Sequence, residues 1–465
     1  MGMRRHLRLG ALALALTASA ALLQTVHAAD LIEVWQAALQ NDRAYAVARA
    51  TQAAAQPRRD QSTALWRPTV GVSATVGLGS SETETRGAQF SAPGLGTSTG
   101  VGFNTSVNGG STGRWAISAV QPLYNPERRA QQQQLGLSVD LAEIEWQAAR
   151  QTLMLRSAER YFDLALAEES VRVLTRQFDA VQRAGVEAQD RFKLGAAPVT
   201  DTYEAGARLA GIRAQLLALQ SDLQIKRNLL ADSTGLPPAA LSARLPVEVT
   251  PAAAAPRSLD LWLADAQAGS PAIRGRQLAT ELARQEAAKY SRPASAKIDL
   301  VAQAGQDRLS GSGDFGSAGN NATNRLIGVQ VSLPLFTGGY RSAKEDEALR
   351  LADKAEAEAD LTRQQTAQQV RSAWLGLSVG TERVQALTDA LAATESRRDA
   401  TRLGHQVGHR TTLELLNAEN DTAAARLALA QGRVGLLMDR LRLAALAGQL
   451  DDEALLAVNA HLSPP

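Results

Sequence analysis

The sequence predicts an α+β membrane protein: short β-strands that close a barrel only when several subunits pool them, continued by long coiled-coil helices. Three observations predict it. Long proline-free stretches rich in Ala, Leu, Glu, Gln and Arg space their apolar residues by three and four. Four segments of about ten residues instead alternate apolar with small or polar side chains, the length of a transmembrane β-strand. The order helix, strand, loop, strand, proline, long helix occurs twice, which marks an internal tandem repeat.

Residues 1–29 read as a secretory signal peptide. "MGMRRHLR" is basic, "LGALALALTASAALL" is apolar, and "VHAAD" offers small residues for cleavage near Ala28 or Ala29. The apolar run is short for a membrane helix, and no later run is long enough to span a bilayer as one. The chain has no cysteine, which excludes a disulfide framework, a thiolate metal site, a cysteine nucleophile and a lipid-modified N-terminal cysteine. Net charge is +2 with both signs interspersed, so no basic tract suits nucleic acid. Aromatics are sparse and alanine abundant, which suits closely packed helices.

The first repeat covers 30–235. After a shorter helix come strands at about 69–79 ("TVGVSATVGLG") and about 114–123, with a Gly/Ser/Thr-rich run, Ser80 to Gly113, between them that reads as a long solvated loop. A long helical hairpin follows. Its seams are Val171, Leu174, Phe178, Val181, Gly185, Ala188 and Phe192, then Leu209, Ile212, Leu216, Leu219 and Leu223. A Pro/Ala-rich linker occupies 236–257. The second repeat, 258–448, has a helix and strands at about 297–306 and 325–335, with a loop from Asp307 to Asn324. Its own helical hairpin carries the seam Ala423, Leu427, Ala430, Val434, Leu437, Leu441 and Ala444. Residues 449–465 form a C-terminal segment. Prolines mark the strand–helix junctions, at Pro68, Pro122, Pro293 and Pro334, because proline cannot donate to a sheet ladder and restricts the residue before it. Asn125-Pro126 reads as an N-cap and first helical residue.

Four strands are too few to close a membrane barrel, whose smallest forms have about eight, and an open edge is not tolerated in lipid. Three chains would supply twelve strands and two would supply eight. A helix of about 60 residues is roughly 90 Å long, so such rods must pair with one another and with other subunits.

At this point the chain resembles the TolC-like outer-membrane channel-tunnels of type I secretion and tripartite efflux. "SLPLFTGG" is similar to that family's strand-to-helix junction in the second repeat, and "RSAERYFDLALAEESVRVL" to its first long helix. "RFKLGAAPVTD" and "HQVGHRTTLELLNAEN" resemble its paired helix-turn-helix tips, and "DDEALLAVN" its C-terminal segment. The resemblance covers nearly all of the mature chain. It implies a homotrimer with a twelve-stranded barrel in the outer membrane of a Gram-negative cell and a periplasmic helical tunnel. It further implies a passive exit duct for protein or small molecules, served by a periplasmic adaptor protein and an inner-membrane ABC or proton-driven exporter.

The tips align on Gly195 and Gly408, with Asp201 six residues after the first and Glu414 six after the second. Each glycine lets one helix stop and the next begin. The resemblance implies adaptor contact around both glycines and gate links in which Thr200 and Asp201 meet Arg410. His405 stands where the family carries a tyrosine. Glu414 and Asn417 stand where it can carry two acidic residues lining the constriction, and Asn417 departs from that pair. Plainer readings exist: Thr411 and Glu414 fit a capping box, Asp201 suits a helix N-terminus, and Arg410 suits a solvated surface. His405 and His409 share helical spacing but lack a third ligand for zinc. Beside Arg410, His405 would make a gate respond to pH near 6 to 7, its ordinary titration range.

Two other functions compete. A trimeric coiled-coil stalk or adhesin with a membrane-anchoring barrel would explain heptads and secretion, but strand pairs interrupt the helices twice here. An enzyme is disfavoured by the lack of G-x-S-x-G, H-E-x-x-H, a phosphate loop or any cofactor fingerprint. No cofactor is expected.

Overall fold

The computed structural model describes residues 29–94, 96–196, 198–247, 257–291, 295–313 and 316–462. Residues 1–28 of the expected signal peptide, 248–256 of the expected linker, and Pro293 lie outside them. The chain separates into two units, one comprising residues 55–140 and 278–356, the other the remainder.

The first of these carries a four-stranded antiparallel sheet in the order β1-β2-β3-β4. Its strands are β1 (Thr69–Ala92), β2 (Gly96–Tyr124), β3 (Lys297–Gly313) and β4 (Gly316–Ser332). The strands correct the sequence reading in one respect. The runs 80–113 and 307–324 are not solvated loops; most of their residues continue the ladders, so β1 and β2 reach 24 and 29 residues and β3 and β4 reach 17 each. Thr, Ser and Val are compatible with a pleated ladder, and cross-strand hydrogen bonds offset the entropy that glycine loses. Chain reversal is confined to the hairpin ends, where Gly94 and Gly96 adopt φ of 87° and 78°. β4 ends at Ser332, three residues short of the expected 335 and two before Pro334.

A second correction concerns Pro122. It lies within β2, at a register shift against β3, and the strand continues to Tyr124. The break falls at Asn125. Its Oδ1 accepts from the backbone N–H of Arg128 at 3.0 Å and so caps the long helix that starts at Pro126. The incoming chain is tied to the same helix start: Arg128 Nη1 donates to the Leu65 carbonyl at 2.7 Å and Trp66 Nε1 to Gln132 Oε1 at 2.8 Å. Pro68 immediately precedes β1.

Most apolar positions of the sheet share one face, while Val120, Val301 and Leu326 stand on the other. Val70, Val72, Val76 and Leu78 are paired in register with Ala119, Ile117, Gly113 and Ser111, and on β4 the same face carries Ile327, Val329 and Val331. Leu78 is 87% exposed and Ile327 80%. Oily side chains left in the open on one face are the pattern of a sheet that meets lipid.

The other unit is helical. It holds α1 (Leu31–Asn41), α2 (Arg43–Ala53), α5 (Val199–Thr234), α6 (Leu259–Gly269), α9 (Thr412–Leu446) and α10 (Asp452–Asn459). It also holds most of α4 (Pro126–Lys193) and α8 (Tyr340–Gln406), which are 68 and 67 residues long. The helices α3 (Ala55–Ala64) and, from Leu278, α7 (Pro271–Ala288) belong with the sheet. The seam expected on α4 is buried at Val181 and Ala188, but Phe192 at its end is 45% exposed.

The main core gathers Leu31, Val34 and Trp35 of α1, Tyr161, Phe162 and Leu164 of α4, Leu230, Leu437 and Leu441, with Leu455 of α10. Polar clips fix the two chain ends to each other. Leu31 N–H donates to Asn459 Oδ1 at 3.1 Å, and Trp35 Nε1 to Asp452 Oδ1 at 2.9 Å. The Tyr161 hydroxyl accepts from the Arg244 N–H at 2.9 Å, and burial pushes its pKa up to about 12. Glu168 accepts from Arg227 Nη2 at 2.9 Å and from Ser242 Oγ at 3.1 Å, so the chain after α5 is held on α4.

Where α6 and α9 end, two glycine backbones touch. A Cβ on Gly448 would stand 2.2 Å from the Gly269 carbonyl oxygen, and Gly448 has φ of 72°. We expect Gly448→Ala to destabilise the protein by about 1–3 kcal/mol. Gly435→Ala on α9, where a Cβ meets nothing within 4 Å, should leave the melting temperature unchanged or raise it. Thermal unfolding of the detergent-solubilised protein checks both.

Candidate functional site: the paired hairpin tips

The turn between α4 and α5 is made by the backbone. Gly195 takes φ of 71°, and the Ala196 N–H returns to the Arg191 carbonyl at 2.8 Å, closing the end of α4. Pro198 then stands at the N-cap of α5 without a side-chain cap. The turn between α8 and α9 follows the same plan with a stronger cap. Gly408 takes φ of 79°, and His409 N–H donates to the Gly404 carbonyl at 2.8 Å. Thr411 Oγ1 accepts from Glu414 N–H at 3.2 Å, while Glu414 Oε2 accepts from Thr411 N–H at 2.8 Å. The Thr-x-x-Glu capping box expected from sequence is therefore formed.

The sites expected from sequence divide. Arg410 Nη1 donates to Glu414 Oε1 at 2.7 Å, one helical turn away in its own tip. Thr200 and Asp201 lie in the first turn of α5, Thr200 exposed and Asp201 half-buried. Among the described residues neither meets Arg410. His405 is 4% exposed, with Nε2 3.3 Å from Thr412 Oγ1. It staples the two sides of its own hairpin and does not reach the first tip. Gly404 leaves room for the Arg410 stem, since a Cβ there would lie 2.7 Å from Arg410 Cγ.

The contact between the hairpins lies farther from the turns. Val181 and Ala184 of α4, Ile212 of α5 and Leu416 of α9 form a small buried cluster, flanked by Phe178 and Leu209. At its rim Arg208 Nη1 donates to Asn417 Oδ1 at 2.8 Å, and Gln177 Nε2 to Asn420 Oδ1 at 3.0 Å. Asn417 thus has a partner that sequence reasoning missed. Arg208 stands seven residues after Asp201, two turns along the same helix face. That spacing was the available signal. α8 is joined to α9 by the ion pairs Arg402–Glu419, Arg397–Asp421 and Arg426–Glu395. Exposed pairs of this kind contribute about 0–1 kcal/mol each.

Two antiparallel helical hairpins closed by left-handed glycines, in a chain with a sheet that offers one oily face, can be compared with known proteins. The model of the family described as outer membrane efflux protein matches residues 34–236 and 262–449. The chain belongs to the outer membrane efflux protein family. It is 26% identical to outer membrane protein TolC of Escherichia coli over 332 residues, covering 70% of this chain and 67% of that protein. It is 25% identical to the alkaline protease secretion protein AprF of Pseudomonas aeruginosa over 350 residues, covering 74% and 71%. Among solved structures, the outer membrane protein VceC of Vibrio cholerae superposes with a TM-score of 0.69 at 21% identity, covering 90% of this chain and 96% of that one. This family member is therefore an outer-membrane channel-tunnel with a large periplasmic part, an exit duct for type I secretion or efflux. The family is of a transport kind, and the stalk reading is not favoured.

Glu414 is held below the usual glutamate value of 4.5, first by the Thr411 backbone N–H and then by Arg410. A depressed carboxylate contributes its stability above the unfolded value and loses it as pH falls through the folded one. We expect this cap to hold from neutrality down to 4.5 and to weaken only below it. Thermal stability measured against pH should show less loss below 4.5 in Glu414→Gln than in the wild type.

Proposed function

We propose that three copies of the chain pool their strands into one twelve-stranded barrel and prolong it with their helices as a periplasmic tunnel. The observation that carries this is the sheet itself: β1 and β4 are both unpaired edges beside a lipid-type apolar face. Lipid cannot satisfy those edge N–H and C=O groups, so like strands from other copies must. The repeats 30–235 and 258–448, joined by 236–257, are the structural units of this assembly. The two stretches matched by the family model support that division.

The hairpin tips are the periplasmic gate. Among the described residues, Asp201 and Thr200 show no side-chain partner inside the protomer, and the Arg410 side chain is engaged by its neighbour Glu414. Links between Arg410 of one subunit and Asp201 of the next would therefore join tips across subunits. Glu414 and Asn417 line the constriction, with Asn417 held by Arg208. His405, buried against Thr412, acts as a packing residue of the tip. The turns at Gly195 and Gly408 present the surface for a periplasmic adaptor, which couples the duct to an inner-membrane exporter.

The chain lacks cysteine, so engineered thiols report without background. Asp201→Cys with Arg410→Cys should yield disulfide-linked oligomers on mild oxidation, and the crosslinked channel should stay closed until reduced. Arg410→Ala and Asp201→Ala should each raise single-channel conductance in planar bilayers by about two-fold or more, because weak links repeated round an axis hold the gate. A monomeric product without conductance would defeat the reading.

A further inference from the structure

The sheet has a second face, and one site on it is unexplained by the gate. Opposite the mainly oily face, β1 presents Thr69, Gly71, Ser73 and Thr75, and β4 presents Asn324, Leu326 and Gly328, with Val120 and Val301 between the strands' small and polar positions. Small and polar side chains of this kind line the lumen of a membrane barrel. One cross-strand row on this face reads Thr75, Arg114, Asp307, Ala322. Arg114 and Asp307 are therefore long charged groups standing between a threonine and an alanine. Asp299, the other carboxylate on this face of β3, lies eight residues away near the strand's beginning.

Arg114 is fixed. Its Nε donates to Asp307 Oδ1 and its Nη2 to Asp307 Oδ2 at 3.3 Å, while Asn324 Nδ2 donates to the same Oδ2 at 3.2 Å. A Cβ on Gly305 would lie 2.6 Å from the Trp115 carbonyl oxygen, so glycine there permits the close strand approach beside the pair. The two charges are unequally shown: the Arg114 side chain is 69% exposed and the Asp307 side chain 31%. A guanidinium has five N–H donors, and a two-point bond to one carboxylate leaves three of them available.

We propose that Arg114, oriented by Asp307, is an oxyanion-recognition site in the barrel lumen. It contacts carboxylate, phosphate or sulfate groups of passing cargo through its remaining N–H donors. Three copies would place three such guanidinium groups round the exit. The proposal rests on the shared-barrel reading, and the experiment separates the two.

The purified protein is inserted into planar bilayers, and sodium triphosphate is added on the extracellular side as the probe. Triphosphate should reduce the current, and Arg114→Gln should weaken that block by about three- to five-fold, the effect of an exposed charge contact. Asp307→Asn, whose amide oxygen still accepts from Arg114 but which removes the competing negative charge, should strengthen it. Each variant is also measured with Arg410→Ala present, so that resistance at the tips does not mask the result. Should Arg114→Gln misassemble, Arg114→Lys retains the charge and should retain the block. In the cysteine-free chain, Asp307→Cys should react with a membrane-impermeant thiol reagent on intact cells and Val329→Cys should not. An unchanged block in Arg114→Gln, or the reverse labelling pattern, overturns the site. A wild-type protein that does not conduct overturns the shared barrel instead.

Discussion

Backbone hydrogen bonding in a solvent that offers none is the constraint on which this structure turns. Within the sheet β1, β2, β3 and β4 pair in order, with register shifts in the first two ladders, and both outer strands are left with one row of unpaired groups. In water such edges would be solvated. Next to a face carrying Val72, Leu78, Ile327 and Val331, they face hydrocarbon, where each unpaired group costs several kcal/mol. The same chain supplies the remedy, because an identical copy brings the complementary edge. Subunit sharing thus follows from a deficit within one chain.

The helical unit solves a different problem. Helices of 67 and 68 residues cannot bury one face by themselves, and their stability comes from packing more than from propensity. The burial is unevenly distributed. Around Tyr161, Phe162 and Trp35 large side chains are wholly buried, and polar clips from Asn459 and Asp452 tie the two ends to each other while Glu168 ties the segment after α5 to α4. Near the tips the buried cluster shrinks to Val181, Ala184, Ile212 and Leu416, flanked by Phe178 and Leu209, with polar contacts at its rim. A strongly packed middle and weakly joined ends are what a duct needs if only its ends are to move.

The two faces of the sheet carry a similar division of labour. One is mainly oily, although Arg308 and Arg325 stand on it. The other is mostly small-residued and polar, and on it one arginine is held by its carboxylate. In the tips, too, a charge is oriented by a neighbour one turn away, as Arg410 is by Glu414. Both sites hold an arginine by a carboxylate of the same chain, Arg114 on a strand and Arg410 in a turn.

Much of this was legible in the residues. Heptad spacing fixed the long helices, because a 3.5-residue period admits little else. Alternation placed the beginnings of β1 and β3 and the ends of β2 and β4, the Thr411–Glu414 capping box could be read directly, and Gly195 and Gly408 announced the turns through their freedom at positive φ. Other features were decided only by tertiary structure. The strands ran on through 80–92 and 96–113 because pairing with a neighbour supplies what a glycine- and serine-rich stretch lacks alone. Pro122 could sit inside β2 because the ladder is already shifted there, and the break moved to Asn125. His405 withdrew into its hairpin, and Arg208 came to Asn417, because helix packing sets which faces meet. Local spacing determines what each segment becomes, while the partner of a side chain more than two hundred residues away is settled only when the helices pack.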